Sequence, residues 1–338
     1  MFLHYHHAPR GNFGDDLNGW LWNRLLPPHW DADDGTVLVG IGTVIGRFIP
    51  KARRYLVFSS GAGYQSPPRG FGDSRWDIVC VRGPLTAKAL ALPAAKGVTD
   101  GAALLALLPE YAPLPEAERS GVLFMPHHFA LETGKWREVS ALAGIEFVDP
   151  RDASRESIQR IRRARLVLAD AMHAAIVADT LRVPWIPLVT SPEINTFKWL
   201  DWTGSLGLPY EPVFLPASTA LESFRGKTLP LRGRRFASLQ PTGDGALADF
   251  LRLRNSDDSI PWRILSLLNR SVLDRVVHPL LRVGLRATEH GDEALVAAAA
   301  LVIRSAVGKT PFLSHDRIFQ QRTAQLSDCL ERVRTEVK

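Results

Sequence analysis

Eight residues near the start of the chain, Gly11-Asn12-Phe13-Gly14-Asp15-Asp16-Leu17-Asn18, decide more about the architecture than any other stretch. They join a short strand-like segment containing Phe2, Leu3 and Tyr5 to Leu17, Trp20, Leu21 and Leu25, which recur at helical spacing. A glycine-bracketed turn that ends a strand and opens a helix aims free backbone N–H groups and the positive end of the dipole into one small space. Such a space suits an anion. A carboxylate in the same turn complicates this, since Asp15 or Asp16 would repel a phosphate. Either aspartate caps the helix, or one of them faces a neutral hydroxyl and acts as a base.

The alternation continues for two-thirds of the chain. Apolar runs at 36–41, 55–59 and 78–81 each lead into glycine-containing turns, and the third continues through Arg82-Gly83-Pro84 into a helix over 85–92. A proline-containing polar stretch at 109–120 reads as a linker. A second set follows, with strands at 122–125, 145–148, 166–169 and 185–189 and helices at 136–143, 157–163 and 174–181. β-Rich runs that end in turns and feed helices imply parallel, doubly wound sheets. Two such halves would bind ligands at the carboxyl ends of their strands, in the cleft between them. The expected fold class is therefore α/β, with two Rossmann-like doubly wound domains at 1–113 and 114–216. A helical C-terminal extension at 217–338 contains helices at 247–254, 262–275, 293–307 and 319–337.

Size and charge narrow the function. With 338 residues, 46% hydrophobic and 22% charged, the chain is a soluble globular protein with two domains as the default. The longest apolar run, 294–303, is about half of what a membrane-spanning helix needs. His4, His6, His7 and Arg10 stand where a signal peptide would be apolar. Cys80 and Cys329 supply neither a disulfide framework nor a metal spacing, so a cytoplasmic location and a site without metal are expected. The net charge of +6 fits anionic substrates or an acidic membrane face, and no nucleic-acid-binding signature accompanies it. Trp262, Leu265, Leu268 and Leu273, flanked by Arg263, Arg270 and Arg275, suggest a basic amphipathic helix that touches the inner membrane face. The same stripe could instead pack across the domains.

Several residues carry candidate chemistry. Arg82 ends a strand and could grip phosphate or carboxylate, or form an interdomain salt bridge. Asp100, before a small-residue helix, reads as an N-cap. His127 and His128 close a strand but point in different directions, so they are no chelating pair; one could touch an anion. Asp170-Ala171-Met172-His173 ends a buried strand and opens a helix. A histidine there loses proton affinity to the dipole and regains it beside a bound dianion, which suits a general acid; a satisfied core histidine is the bland reading. Lys198-Trp199-Leu200-Asp201-Trp202 offers a cation and a ring that could stack on a sugar or simply pack between domains.

Together these motifs resemble the polysaccharide pyruvyl transferases, in particular the succinoglycan ketal-forming branch. The resemblance runs from Asn12-Phe13-Gly14-Asp15-Asp16-Leu17-Asn18 through Arg82-Gly83-Pro84-Leu85-Thr86 and Asp170-Ala171-Met172-His173-Ala174-Ala175 to Lys198-Trp199-Leu200-Asp201-Trp202. It implies a GT-B-like architecture, phosphoenolpyruvate as donor with no further cofactor, and a polysaccharide or lipid-linked oligosaccharide as acceptor. The family's histidine falls on His173 and its strand-end arginine on Arg82. Many members carry an arginine two residues before that histidine, where this chain has Ala171. The charge would then come from Arg82, His127, His128 or Lys198. The expected site thus comprises His173 as acid and Asp15 or Asp16 as base, with Asn12, Gly14, Arg82, His127, His128, Met172, Lys198 and Trp199 binding substrate. Two other classes remain open. One is a nucleotide-sugar glycosyltransferase, with Glu193 as its ribose-recognising residue; the other is a non-catalytic scaffold of exopolysaccharide assembly.

Overall fold

A computed structural model describes residues 1–32, 34–46, 48–232, 236–238, 241–257 and 291–336. The segment from Trp262 to Arg275, expected to be a membrane-facing helix, lies outside the described residues. Among those described, no helix is long and apolar enough to cross a membrane.

The chain is α/β, with two parallel sheets. The first contains β1 (Phe2–His4), β2 (Thr36–Val39), β3 (Arg54–Ser60) and β4 (Trp76–Val81) in the spatial order β1-β2-β3-β4. α1 (Asn18–Leu25) connects β1 to β2, and α2 (Pro84–Ala89) follows β4. Proline at the first position of α2 fits its missing N–H. The second sheet contains β5 (Ser120–Met125), β6 (Glu146–Phe147), β7 (Ala164–Ala169), β8 (Trp185–Val189) and β9 (Val213–Phe214), in the order β6-β5-β7-β8-β9. Its helices are α3 (Trp136–Ala143), α4 (Ser154–Arg163), α5 (Met172–Thr180) and α6 (Thr196–Ser205).

The strand orders correct the expectation of two doubly wound halves. The second sheet reverses direction between β5 and β7, which makes it doubly wound and creates a switch point there. The first sheet steps outward in chain order with no reversal. Connections 40–53 and 61–75 contain no helix among their described residues, because Gly40, Gly42 and Gly46 interrupt one and Pro67, Pro68, Gly70 and Gly72 the other. The small-residue helix expected after Asp100 is a 3₁₀ run at Gly101–Leu107.

Alternation along each strand sorts side chains between two faces. Leu38, Leu56 and Phe58 of the first sheet, and Leu123, Met125, Val167 and Ala169 of the second, enter one core shared by both halves. Phe124, Leu166, Leu168, Ile186 and Leu188 face the other way. α7 (Ala220–Thr228) and α8 (Gly243–Asp257) follow β9. α9 (Glu293–Val307) covers the outward face of the second sheet with Val296, Ala299, Ala300 and Ile303, spaced for one helical stripe. α10 (Asp316–Glu336) returns to the first half and places Leu326, Leu330 and Val333 in the shared core.

Candidate active site

The strand ends of both sheets converge on one pocket lined by Asn12, Gly14, Asp15, Thr43, Tyr64, His127, His128, Asp170, Met172, His173, Asn195, Lys198 and Trp199. It opens beside the β5–β7 reversal, where a doubly wound sheet splays its connections to opposite faces and leaves room for a ligand.

The loop after β1 enters from the first half. Phe13 N–H donates to Pro150 O at 2.7 Å, which ties this loop to the second half. Asp16 turns back and accepts the Asn12 N–H at 2.9 Å, so it closes the turn rather than entering the pocket. Asp15 does enter. It is buried and accepts from Asn12 Nδ2 at 2.5 Å. Burial pushes its carboxyl up, against the opposing pull of His173, His6 and Lys198. Gly14 lies directly against His173: a Cβ built there would meet Nδ1 at 1.8 Å. Only glycine lets the loop backbone approach the imidazole so closely.

α5 starts at the end of β7, and its N-cap residue Ala171 offers no side-chain acceptor. The Ala174 N–H bonds the Ala171 carbonyl at 3.0 Å, so the N–H groups of Met172 and His173 are those a pocket anion could meet. Asp170, one residue earlier, accepts from the His127 N–H (2.7 Å), the Thr190 N–H (3.0 Å) and the Thr190 hydroxyl (2.7 Å), binding the ends of β5, β7 and β8 together. Burial raises Asp170 to about 6, against those three hydrogen bonds. On the far side of His173, Nε2 lies 3.7 Å from Asp100 Oδ1. Asp100 accepts the Ala102 N–H at 3.0 Å, so it is the cap that the sequence suggests.

His127 and His128 sit beside each other, ring centroids 4.3 Å apart. Burial, reinforced by His128, Lys198 and Arg225, drives His127 well below its ordinary value. Burial together with Lys198, His6, Arg151 and Arg225 brings His128 to about 4. Those downward shifts make both neutral hydrogen-bonding groups at pH 7, so neither supplies positive charge to the pocket. Lys198 does, from the first turn of α6, with its Nζ 3.3 Å from the Tyr64 hydroxyl. Asn195 caps that helix through Lys198 N–H (3.2 Å) and donates to Gly63 O (2.7 Å), holding α6 against the first half.

Two expected substrate contacts are replaced by structural ones. Arg82 is completely buried and outside the pocket lining. Its guanidinium binds Asp201 Oδ2 at 2.9 Å, Thr43 Oγ1 at 2.8 Å and Ala62 O at 2.7 Å. It is an ion pair between β4 and α6, not an anion clamp. Trp199 is 2% exposed and lies nearly parallel to Tyr210 at 5.1 Å, so its ring face is covered and closed to a sugar. Asn195, Thr43 and Tyr64 carry no local motif and are not legible as site residues before folding. Glu193, the ribose-recognising residue that a glycosyltransferase would need, is buried against Arg225 at 2.5 Å.

A partly open pocket with a buried carboxyl, a histidine at a helix start and the cation of Lys198 defines a two-half α/β site suited to proton transfer on an anionic substrate. No protein-family model matches the chain, and no solved structure matches it. It is 34% identical over 335 residues to the succinoglycan biosynthesis protein ExoV of Rhizobium meliloti (strain 1021), covering 99% of each chain. The chain belongs to that family, the succinoglycan-type branch of the polysaccharide pyruvyl transferases that its motifs resemble.

Proposed function

We propose that the protein serves succinoglycan biosynthesis as a transferase that moves the pyruvyl group of phosphoenolpyruvate onto two hydroxyls of one sugar. The product is a pyruvate ketal, and phosphate is released. In this reading the halves 1–113 and 114–216 are GT-B-like domains, and 217–338 is their helical extension. The acceptor is an exopolysaccharide or its lipid-linked repeat unit, handled at the cytoplasmic side of the membrane.

The juxtaposition of His173 and Asp15 across Gly14 carries the proposal. His173 protonates the methylene carbon of the donor, which leaves an oxocarbenium-like centre. A sugar hydroxyl attacks it while Asp15, whose raised carboxyl suits a proton acceptor, takes the hydroxyl proton. Phosphate leaves, and a second hydroxyl closes the ring. Of the two hydroxyl protons, one replaces that given to the methyl carbon and the other departs with phosphate. Lys198 and the N-terminus of α5 hold the donor's anionic groups. The neutral pair His127 and His128 suits sugar hydroxyls, which need donors and acceptors rather than charge. Acid, base and cation all come from the chain, so the reaction as written requires no metal.

Incubation with phosphoenolpyruvate and candidate lipid-linked oligosaccharides tests the proposal through phosphate release and product mass. Ketal formation that persists in a chelator supports it. Consumption of a nucleotide sugar with release of nucleoside diphosphate overturns it in favour of a glycosyltransferase.

A further inference from the structure

Asp100 lies behind the pocket wall, and capping alone does not account for it. An uncharged Ser, Thr or Asn caps a helix start as well as Asp does. A charged carboxylate at a fully buried position is strongly disfavoured unless a cation faces it. Asp100 Oδ1 stands 3.7 Å from His173 Nε2. Asp100 Oδ2 and His173 Nε2 are both buried and lack a hydrogen-bond partner. Two unpaired polar atoms in adjacent groups mark a contact that is poised but not closed. At 3.7 Å it is longer than a hydrogen bond, and catalytic hydrogen bonds are often long before substrate binds.

The segment carrying Asp100 is held from several sides. Ser59 Oγ donates to Thr99 O at 2.6 Å, and Ser205 Oγ to Thr99 Oγ1 at 2.9 Å. Ser59 itself adopts a left-handed φ of 58° inside a bulge of β3, a strained conformation for a non-glycine residue. Across the ring from Asp100, glycine at position 14 leaves clear the space at Nδ1 that a Cβ would fill. The imidazole therefore has a carboxylate on a braced segment behind Nε2 and an unobstructed Nδ1 on the glycine side.

We infer that Asp100 is the positioning residue of His173: it accepts the Nε2 proton, which fixes the tautomer and leaves Nδ1 as the nitrogen that exchanges the reacting proton. The inference rests on the reading of His173 as general acid. Before reaction the imidazolium carries protons on both nitrogens. The Nδ1 proton passes to the methylene carbon, and the electron pair of the former carbon–carbon double bond forms the new C–H bond. The ring then stays neutral with Nε2–H on Asp100, and a hydroxyl proton relayed from the acceptor restores Nδ1–H. Asp100 remains a carboxylate throughout. The other charged or titratable groups lining the pocket around the ring are Asp15 on the loop after β1, Tyr64 after β3, His127 and His128 after β5, Asp170 after β7, and Lys198 on α6. Arg82 stands beside Asp100 but is engaged on Asp201.

The test uses the full-length protein labelled with ¹⁵N-histidine, the His173 signals being assigned by their loss in His173→Gln. Asp100→Asn and Asp100→Ser keep a cap for Ala102, and the serine variant is read if the asparagine variant does not fold. Neutral His173 should be the Nε2–H tautomer in the wild type, and should become Nδ1–H or a mixture in the variants. Turnover should fall by about a hundredfold or more, with KM for phosphoenolpyruvate changed by no more than about threefold. Adding Asp100→Asn to His173→Ala should cost no further activity, because the residue acts through the ring. An unchanged tautomer, or a full multiplicative loss in the double variant, reduces Asp100 to a cap and overturns the inference. A tautomer that moves while even the wild type makes no ketal leaves the positioning intact and removes the phosphoenolpyruvate reading instead.

Discussion

The two walls of the pocket each contain a fully buried aspartate next to a histidine, and the two carboxyls are pushed in opposite directions. On the first-half side, burial alone would raise Asp100. The charge of His173, the Ala102 N–H and the charge of Arg82 nevertheless hold it below the usual carboxylate range. On the second-half side, Asp170 receives three neutral donors and no cation, and burial lifts it to about 6. Burial is the same, so the difference lies in the partners. A cation within reach keeps a buried carboxylate charged, whereas neutral hydrogen bonds only partly offset desolvation. The first wall therefore stores charge for the histidine, and the second uses its aspartate to lash three strand ends together.

Removing the cation behind the first wall should have the largest effect on stability. Arg82→Met leaves Asp201 buried without its partner and should destabilise the fold by about 3–5 kcal/mol, measured by denaturant unfolding. Arg82→Lys should also destabilise while leaving KM for phosphoenolpyruvate nearly unchanged. A large rise in KM without loss of stability would return Arg82 to substrate binding.

Within the pocket, His173→Ala should lower turnover by about a hundredfold or more with thermal stability nearly retained. A collapsed fold with normal activity in the surviving native fraction would mark a core histidine. Lys198→Met should raise KM for phosphoenolpyruvate by about tenfold and leave the unfolding midpoint nearly unchanged, since methionine keeps the apolar stem of this half-buried side chain and its partly solvated charge adds little to stability. An unchanged KM would move anion binding entirely to the α5 N-terminus.

The smallest effect concerns acid titration, and here the walls should differ in sign. Asp170 has a folded-state value above its unfolded one, so the native state holds the extra proton and stability falls as pH rises from about 4 to about 6. Asp100 is depressed, so its contribution is complete above the unfolded carboxyl range and is lost as pH falls through the lower folded value. Difference curves of unfolding free energy against pH, wild type minus Asp170→Asn and wild type minus Asp100→Asn, should slope oppositely. Parallel slopes would show that the partners do not set the charge.

Much of this site is legible before folding, because strand ends and helix starts announce themselves locally. His173, Asp15, Gly14, Lys198 and the adjacent histidines all lie in turns that follow apolar runs, and parallel sheets bring such turns together. Arg82 misleads for the same reason. A strand-end arginine looks aimed at a ligand, but its partner Asp201 is 119 residues away, and nothing local reveals that distant charge. Trp199 is ambiguous in sequence because stacking on a sugar and stacking on Tyr210 demand the same residue. The strand order of the first sheet is hidden as well. Loops 40–53 and 61–75 announce their glycines and prolines, but not on which side the next strand will pair.

Helix α10 adds a constraint of a different kind, one of time. Its Leu326, Leu330 and Val333 belong to the same core as Leu38, Leu56 and Cys80. Its Arg332 and Glu336 pair with Asp77 and Arg54 on β4 and β3. During synthesis, α10 leaves the ribosome roughly 230 residues after β4, a delay on the order of 10–50 s at ordinary elongation rates. Over that interval the first sheet exists without its cover, so the half of the protein made earliest is completed last. A nascent chain arrested before α10 should remain open to protease in its first hundred residues.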